Sequence, residues 1–207
     1  MKPWSAFYNL MSPDVPDCPQ SAQNNALLQA SIAFCEQSLA WKYDHPDIAV
    51  VVDTAEYPFE PPAGAVVHVI TYAEFNGKEI SASTAQDDMR IWDWRNQPGT
   101  PEYALGGPLM VTLVPMPNVA GTLKLEVSLK PSPIAEGIDD NIFNEYREAI
   151  IHGALAQLMM SQKKPYSNPQ LSAYHMQQFF IKTGAAGNRV ARNYTRAPLQ
   201  TSIMRRR

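Results

Sequence analysis

The sequence predicts an α+β fold: a discontinuous α-helical bundle, an antiparallel β-domain inserted into it, and an extended C-terminal tail. Three observations carry that expectation. Apolar residues recur with helical period near both ends of the 207-residue chain and with strand character across its middle. One helix ahead of a β segment cannot bury a broad apolar face alone, so it must meet the helices that follow. Pro198 stands beyond the last periodic stretch, where its fixed φ and missing N–H forbid a helix.

The elements follow in order. Residues 1–20 hold four prolines and read as an irregular arm. From Ser21 to Tyr43, Ala26, Leu27, Ala30, Phe34 and Trp41 mark one stripe; Leu28, Ile32, Cys35 and Leu39 mark the next. Ser21 is the expected N-cap, and His45-Pro46 the expected stop. Residues 46–134 are rich in β-branched and aromatic residues between Pro and Gly, and read as six or seven antiparallel strands. Asn76-Gly77, between two strand-like runs, predicts a type I′ hairpin. In "TLKLEVSL", Leu123, Leu125, Val127 and Leu129 alternate with polar residues, so one face is buried. Helical period returns over 138–162, with Ile142, Tyr146, Ile150, Ala154 and Leu158 beside Phe143, Ile151, Leu155 and Met159. Asp139 and Asp140 in its first turn complement the positive helix end. A further helix starts with Asn168 as N-cap and Pro169 at N1, carries Leu171, Tyr174, Phe179 and Phe180, and reaches about Tyr194. Gly184 and Gly187 predict a break, or a close approach by another backbone. The expected division is thus 1–45 with 135–196 for the bundle, 46–134 for the β-domain and 197–207 for the arm.

Apolar residues make up 45% of the chain and charged residues 18%, an ordinary balance for a folded domain. No apolar run approaches the ~20 residues of a membrane span, and "MKPWSAFYNLMSPD" is not a signal peptide. Two cysteines, Cys18 and Cys35, make no disulfide framework and suit a reducing compartment. Cys35 lies among helix-core residues and reads as a buried, inert thiol. Charge is split unevenly: residues 1–148 hold 8 Lys+Arg and 20 Asp+Glu, residues 149–207 hold 9 Lys+Arg and no acid. Such a split points to different partners for the two parts: nucleic acid, a membrane surface or an acidic protein socket for the basic one. The alternative is a basic part that pairs with the acidic part of its own fold or of a neighbouring subunit.

Catalytic chemistry is not visible. The histidines are His45, His68, His152 and His175. Glu148 and His152 stand four apart on a helix, but a metal site needs three or four ligands, and a surface pair is the better reading. Asp87-Asp88 and Asp139-Asp140 lie in a turn and at a helix start, where they cap and solvate. "GAAGNR" lacks the strand and the Gly-Lys-Ser/Thr ending of a phosphate loop. There is no nucleophile elbow and no Cys-x-x-Cys, so no enzyme, no metal and no cofactor is expected. The last 26 residues carry seven positive charges, with Tyr194 available to stack on a base. Leu199, Ile203 and Met204 alternate with those charges, as side chains meant for protein pockets do.

"NNALLQASIAFCEQSLAW" (24–41), "GTPEYA" (99–104), "LVPMPN" (113–118), "GTLKLEVSLKPS" (121–132), "NEYREAIIHGALAQLM" (144–159) and "PYSNPQLSAYHMQQFF" (165–180) occur in this order. Together they make the chain resemble the head-to-tail adaptors of tailed bacteriophages, most of all the tail-tubular or nozzle-adaptor connectors of short-tailed phages. The resemblance implies a ring, usually of twelve copies, beneath the portal in the virion neck, assembled in the host cytoplasm. It implies contacts with the portal protein and with tail nozzle or tail tube proteins, genomic DNA passing through the channel, no membrane and no catalysis. Residues after the last helix would dock on the portal: Arg196 with Arg205, Arg206 and Arg207, the last three through bidentate bonds to carboxylates, and Leu199, Ile203 and Met204 in apolar pockets. An eleven-residue arm from Ala197 to Arg207 spans ~35 Å when extended. Trp92 and Trp94 share one face if "RIWDW" is a strand, and either fill the β core or touch a tail protein. Two other readings stand beside this one: a nucleic-acid-binding module using the basic C-terminal region, and a tail-completion or terminator protein of a long-tailed phage.

Overall fold

The protein was described from a computed structural model, which defines residues 1–82 and 97–195. It is a mixed α+β chain that divides into two compact units, Met1–Ala40 with Ala135–Arg207, and Trp41–Ile134.

The first unit opens with β1 (Lys2–Pro3), a 3-10 turn (Trp4–Phe7) and α1 (Tyr8–Met11). The expected irregular arm is therefore folded. Trp4, Phe7, Met11 and Val15 are buried, the Trp4 indole N–H donates to the Ala135 carbonyl at 2.8 Å, and Phe7 meets Phe143 edge-on at 4.8 Å. Four prolines disguised this segment because its order comes from long-range burial rather than from local period. β1 pairs antiparallel with β12 (Gly137–Ile138).

Three helices follow: α2 (Gln20–Ser38), α3 (Asp140–Met159) and α4 (Pro169–Ala191). α2 begins after Pro19 with no side-chain cap, so Ser21 lies inside the first turn rather than capping it. It also ends at Ser38, five residues before the expected end at Tyr43. Leu39 turns left-handed at φ 54°, its N–H donates to the Cys35 carbonyl, and the Ser38 hydroxyl donates to the Phe34 carbonyl at 2.7 Å. α3 is capped as its acids predict: Asp139 Oδ1 accepts from the N–H groups of Asn141 (2.8 Å) and Ile142 (3.3 Å). α4 starts with Asn168 Oδ1 accepting from the Leu171 N–H and Pro169 at N1, and ends at Ala191.

α3 packs against both other helices. Gly153 is the crossing point: a Cβ there would lie 2.8 Å from Phe179 Cδ2 and 2.9 Å from Ala30 Cβ, so only hydrogen fits. The Ser172 hydroxyl donates to the Ala156 carbonyl at 2.7 Å within this seam. α4 runs through Gly184 and Gly187 without the expected break. At Gly187 the backbone of α2 comes close instead, a Cβ there falling 3.6 Å from Ser38 Cα, whereas Gly184 faces open space.

The second unit is built from strands. β2 (Lys42–Asp44), β3 (Ile48–Val50), β5 (Ala65–Phe75), β6 (Lys78–Ile80) and β11 (Gly121–Pro131) form one antiparallel sheet, with β11 between β5 on one side and β2 and β3 on the other. β4 (Glu56–Pro58), β9 (Met110–Val114) and β8 (Tyr103–Gly106) form a second. β7 (Pro98–Gly99) and β10 (Met116–Pro117) make a short parallel pair. These ten strands exceed the expected six or seven because several are only two or three residues long. Trp41, read as the last helical stripe residue, belongs here: it is buried, and its carbonyl accepts from the Leu129 N–H at 2.8 Å.

The predicted hairpin joins β5 to β6, with Asn76 at φ 50° and Gly77 at φ 80°. The Asn76 side chain also accepts from the Thr122 N–H at 2.8 Å, tying the turn to β11. Leu123, Leu125, Val127 and Leu129 are all buried, as their alternation requires. Ser128 is buried with them because the β5–β11 register shifts twice, between Glu126 and Val127 and between Ser128 and Leu129. Such bulges interrupt the two-residue period.

Candidate interaction surfaces

The residue types and period of α4 decide which side it buries. Ser172, His175, Phe179, Thr183, Ala186 and Val190 face inward. Sequence reading grouped Leu171, Tyr174, Phe179 and Phe180 as one apolar set, but only Phe179 is buried. Successive helical residues point ~100° apart, so Phe179 and Phe180 cannot both face the core. Tyr174 and Ile181 are each more than half exposed (52 and 55%) on the opposite side, and Phe180 (54%) is exposed on the flank between that side and the core. No Lys, Arg, Asp or Glu lies between Lys164 and Lys182. By contrast, α2 and α3 present no large apolar residue to solvent. Adjacent aromatic residues in "QQFFIKT" are the signal that could have revealed this outer face.

Further along α4 the surface is ionic. Lys182 Nζ lies 2.7 Å from Glu148 Oε2, and Arg189 lies 2.7 Å from Glu145 Oε2, two bridges from α4 to α3. The hydrogen bond and charge of Lys182 hold the Glu148 carboxyl below its ordinary range. The Arg189 guanidinium also sits 4.6 Å from the centre of the Tyr194 ring, a cation–π contact. Tyr194 and Tyr146 approach through their hydroxyls at 3.4 Å; burial, then this contact, pushes the Tyr146 phenol upward. Part of the basic C-terminal charge is thus matched within the subunit.

Three of the four histidines make contacts within the fold. His45 is buried, its Nε2 accepting from the Glu60 N–H and its Nδ1 donating to the Pro46 carbonyl, both at 2.7 Å. His152 meets His175 across the α3–α4 seam with Nδ1 atoms 2.8 Å apart, while Glu148 turns to Lys182. Glu148 and His152 therefore form no pair, and among the described residues no group of His, Cys, Asp and Glu could hold a metal ion. Cys35 is fully buried, and burial, with Asp139 and Glu36 adding to it, pushes its thiol far above the ordinary range. Among the described residues no helix is long and apolar enough to cross a membrane.

Elsewhere on the helical unit, the 3-10 turn and α2 enclose a shallow groove of about 480 Å³ with Trp4, Tyr8 and Leu28 in its lining and Glu136 at its edge. The residues expected to contact partners, Trp92 and Trp94 in the β-domain and Arg196, Leu199, Ile203, Met204, Arg205, Arg206 and Arg207 in the arm, lie outside the described residues, as do Asp87 and Asp88.

A family model described as SU10 adaptor protein matches residues 9–204. The chain belongs to that family. The match spans both compact units, and it supports the resemblance to phage head-to-tail adaptors. Comparison with curated proteins gives no match. For an SU10 adaptor the pertinent surfaces are those that meet other phage head and tail proteins, and the outer face of α4 and the groove at α2 stand out on this chain.

Proposed function

We propose that this SU10 adaptor is a structural connector of the virion neck, forming a ring beneath the portal, joining capsid to tail and lining the channel through which DNA leaves. The observation that carries the reading is the family match over residues 9–204. In this reading the helices form a discontinuous bundle that makes the ring body, and the β-domain inserted between α2 and α3 faces tail nozzle or tube proteins of a short-tailed phage. Twelve copies complete the ring. No catalytic step belongs to the role. The arm docks on the portal through Arg196, Leu199, Ile203, Met204 and Arg205, Arg206 and Arg207. Ordering such an arm costs ~1–2 kcal/mol per residue, so one arm binds weakly while a ring of arms acts together.

Particles that lack the protein test this. Added protein should restore a ring beneath the portal in projection images, and a chain deleted of 197–207 should stay folded but fail to attach. Docking of the truncated chain with unchanged affinity removes the arm as anchor. Failure of the intact chain to attach to particles removes the adaptor reading.

A further inference from the structure

A helix that merely ends needs one left-handed residue. α4 has it: the Asn193 N–H donates to the Val190 carbonyl at 2.8 Å and the Tyr194 N–H to the Arg189 carbonyl at 3.0 Å, with Asn193 at φ 47°. Asn takes that conformation readily, as a single residue. The next residue departs from the pattern. Tyr194 is left-handed too, at φ 56°, where a bulky side chain is an outlier. Nothing in the local chain asks for a second such residue, so contacts beyond the local chain must hold it there.

Those contacts are present. The Tyr194 ring lies 4.6 Å from the Arg189 guanidinium, and its hydroxyl lies 3.4 Å from that of Tyr146, in the second turn of α3. Arg189 is itself held by Glu145 at 2.7 Å, and the Tyr146 ring rests against Phe34 of α2 with ring centres 5.2 Å apart. All three helices thus build one seat for a side chain that lies past the end of α4. The N–H and the hydroxyl of Thr195 then both donate to the Arg192 carbonyl, at 2.9 and 2.7 Å, so the turn is closed to the last described residue.

We propose that Tyr194 is a positioning residue: it folds the chain back onto α3 at the end of α4, and so sets where the C-terminal arm starts and which way it leaves. This rests on the reading in which the arm docks the adaptor on the portal. An arm that starts from a fixed point meets its target at a higher effective concentration and has less freedom to lose on binding. Without the seat, Asn193 and Tyr194 are released to negative φ, and α4 is free to wind on along its own axis through Tyr194. That moves the start of the arm by about 5 Å, roughly one turn, and takes it away from α3.

The test docks the full chain on particles that lack it and follows amide hydrogen exchange in solution. Tyr194→Ala should keep the parent circular dichroism spectrum, lose exchange protection only at residues 193–195, and dock at least about tenfold more weakly. Tyr194→Phe keeps the ring beside Arg189 and should restore both protection and docking. Arg189→Gln leaves Tyr194 in place, removes the cation beside it and should reproduce part of both losses; it carries the test if Tyr194→Ala does not fold. Docking that is unchanged although protection is lost overturns the proposal. So does weakened docking of Tyr194→Ala with protection intact, because Tyr194 would then touch the partner rather than aim the arm. If a chain lacking 197–207 docks like the parent, the arm reading fails and takes this inference with it. If that deletion abolishes docking while Tyr194→Ala and Arg189→Gln dock like the parent, this inference alone fails.

Discussion

Acid should loosen the α3–α4 seam through His152 and His175. Their Nδ1 atoms lie 2.8 Å apart, so one ring donates its N–H and the other must accept. A proton on both rings would set two N–H groups face to face in a half-buried site. Both histidines are accordingly held below their ordinary value: burial is the main cause for each, and for His152 the charges of His175 and Lys182 add to it. The groups that face the pair are few. Glu148 from α3 and Asp14 from the N-terminal segment pull upward, Lys182 from α4 pulls down, and the Tyr174 ring packs edge-on against His152.

A base whose folded value is depressed leaves stability intact above its unfolded value, near 6.5. That stability drains as pH falls through 6.5, because the unfolded chain takes up protons the folded chain refuses. Each proton so refused steepens the loss by at most about 1.4 kcal/mol per pH unit, so two set a ceiling of about 2.7. The assay is urea unfolding at intervals from pH 7.5 to 5. His152→Gln and His175→Gln keep a hydrogen-bonding side chain without the titration, so each should flatten the slope relative to the parent. Slopes that coincide for the parent and both glutamine variants would show that the pair carries no proton linkage.

Other expectations follow from single contacts. Gly153→Ala places a Cβ against Phe179 and Ala30 and should cost ~1–3 kcal/mol of unfolding free energy in urea titration. Asp139→Ala removes the acceptor for two N–H groups at the start of α3 and should cost ~1 kcal/mol in the same measurement. Cys35, buried with its thiol pushed upward, should ignore a thiol reagent in the native protein and react at once in denaturant.

What could be read from the residues was whatever a local rule fixes. Asn76-Gly77 needs two positive φ angles and obtains them, Asp139 and Asn168 cap where short polar side chains precede a periodic run, and β11 buries its alternating apolar set. Misreadings came where tertiary contact overrode local signal. The end of α2 is set by a left-handed Leu39 and by the pairing of β2 with β11, which no stripe of apolar residues announces. The N-terminal segment is ordered by Trp4 and Phe7 reaching residues 135 and 143, a separation that periodicity cannot sense. Leu171, Tyr174, Phe179 and Phe180 read as one set because composition reports how many apolar residues a helix has, while their angular positions decide which are covered.

The charge split that marks the sequence takes on a more specific meaning in the folded chain. Nine basic residues and no acid after residue 148 invite a nucleic-acid reading. Yet Lys182 and Arg189, at the middle and end of α4, are spent on α3 carboxylates. Exposed pairs of this kind contribute only ~0–1 kcal/mol each to stability. They direct α4 onto α3 and lower the positive field a phosphate backbone would meet, and they leave the uncharged turns between Lys164 and Lys182 as the outward surface. A helix meant for DNA would show the reverse, with lysines outward and apolar residues buried. Salt separates the two designs. Phosphate contacts lose affinity steeply as counterions compete, whereas apolar contact through Tyr174 and Ile181 should persist or strengthen at high sulfate. Binding through this face that survives molar sulfate would therefore place its work in protein–protein contact, and binding lost between low and physiological salt would return it to electrostatics.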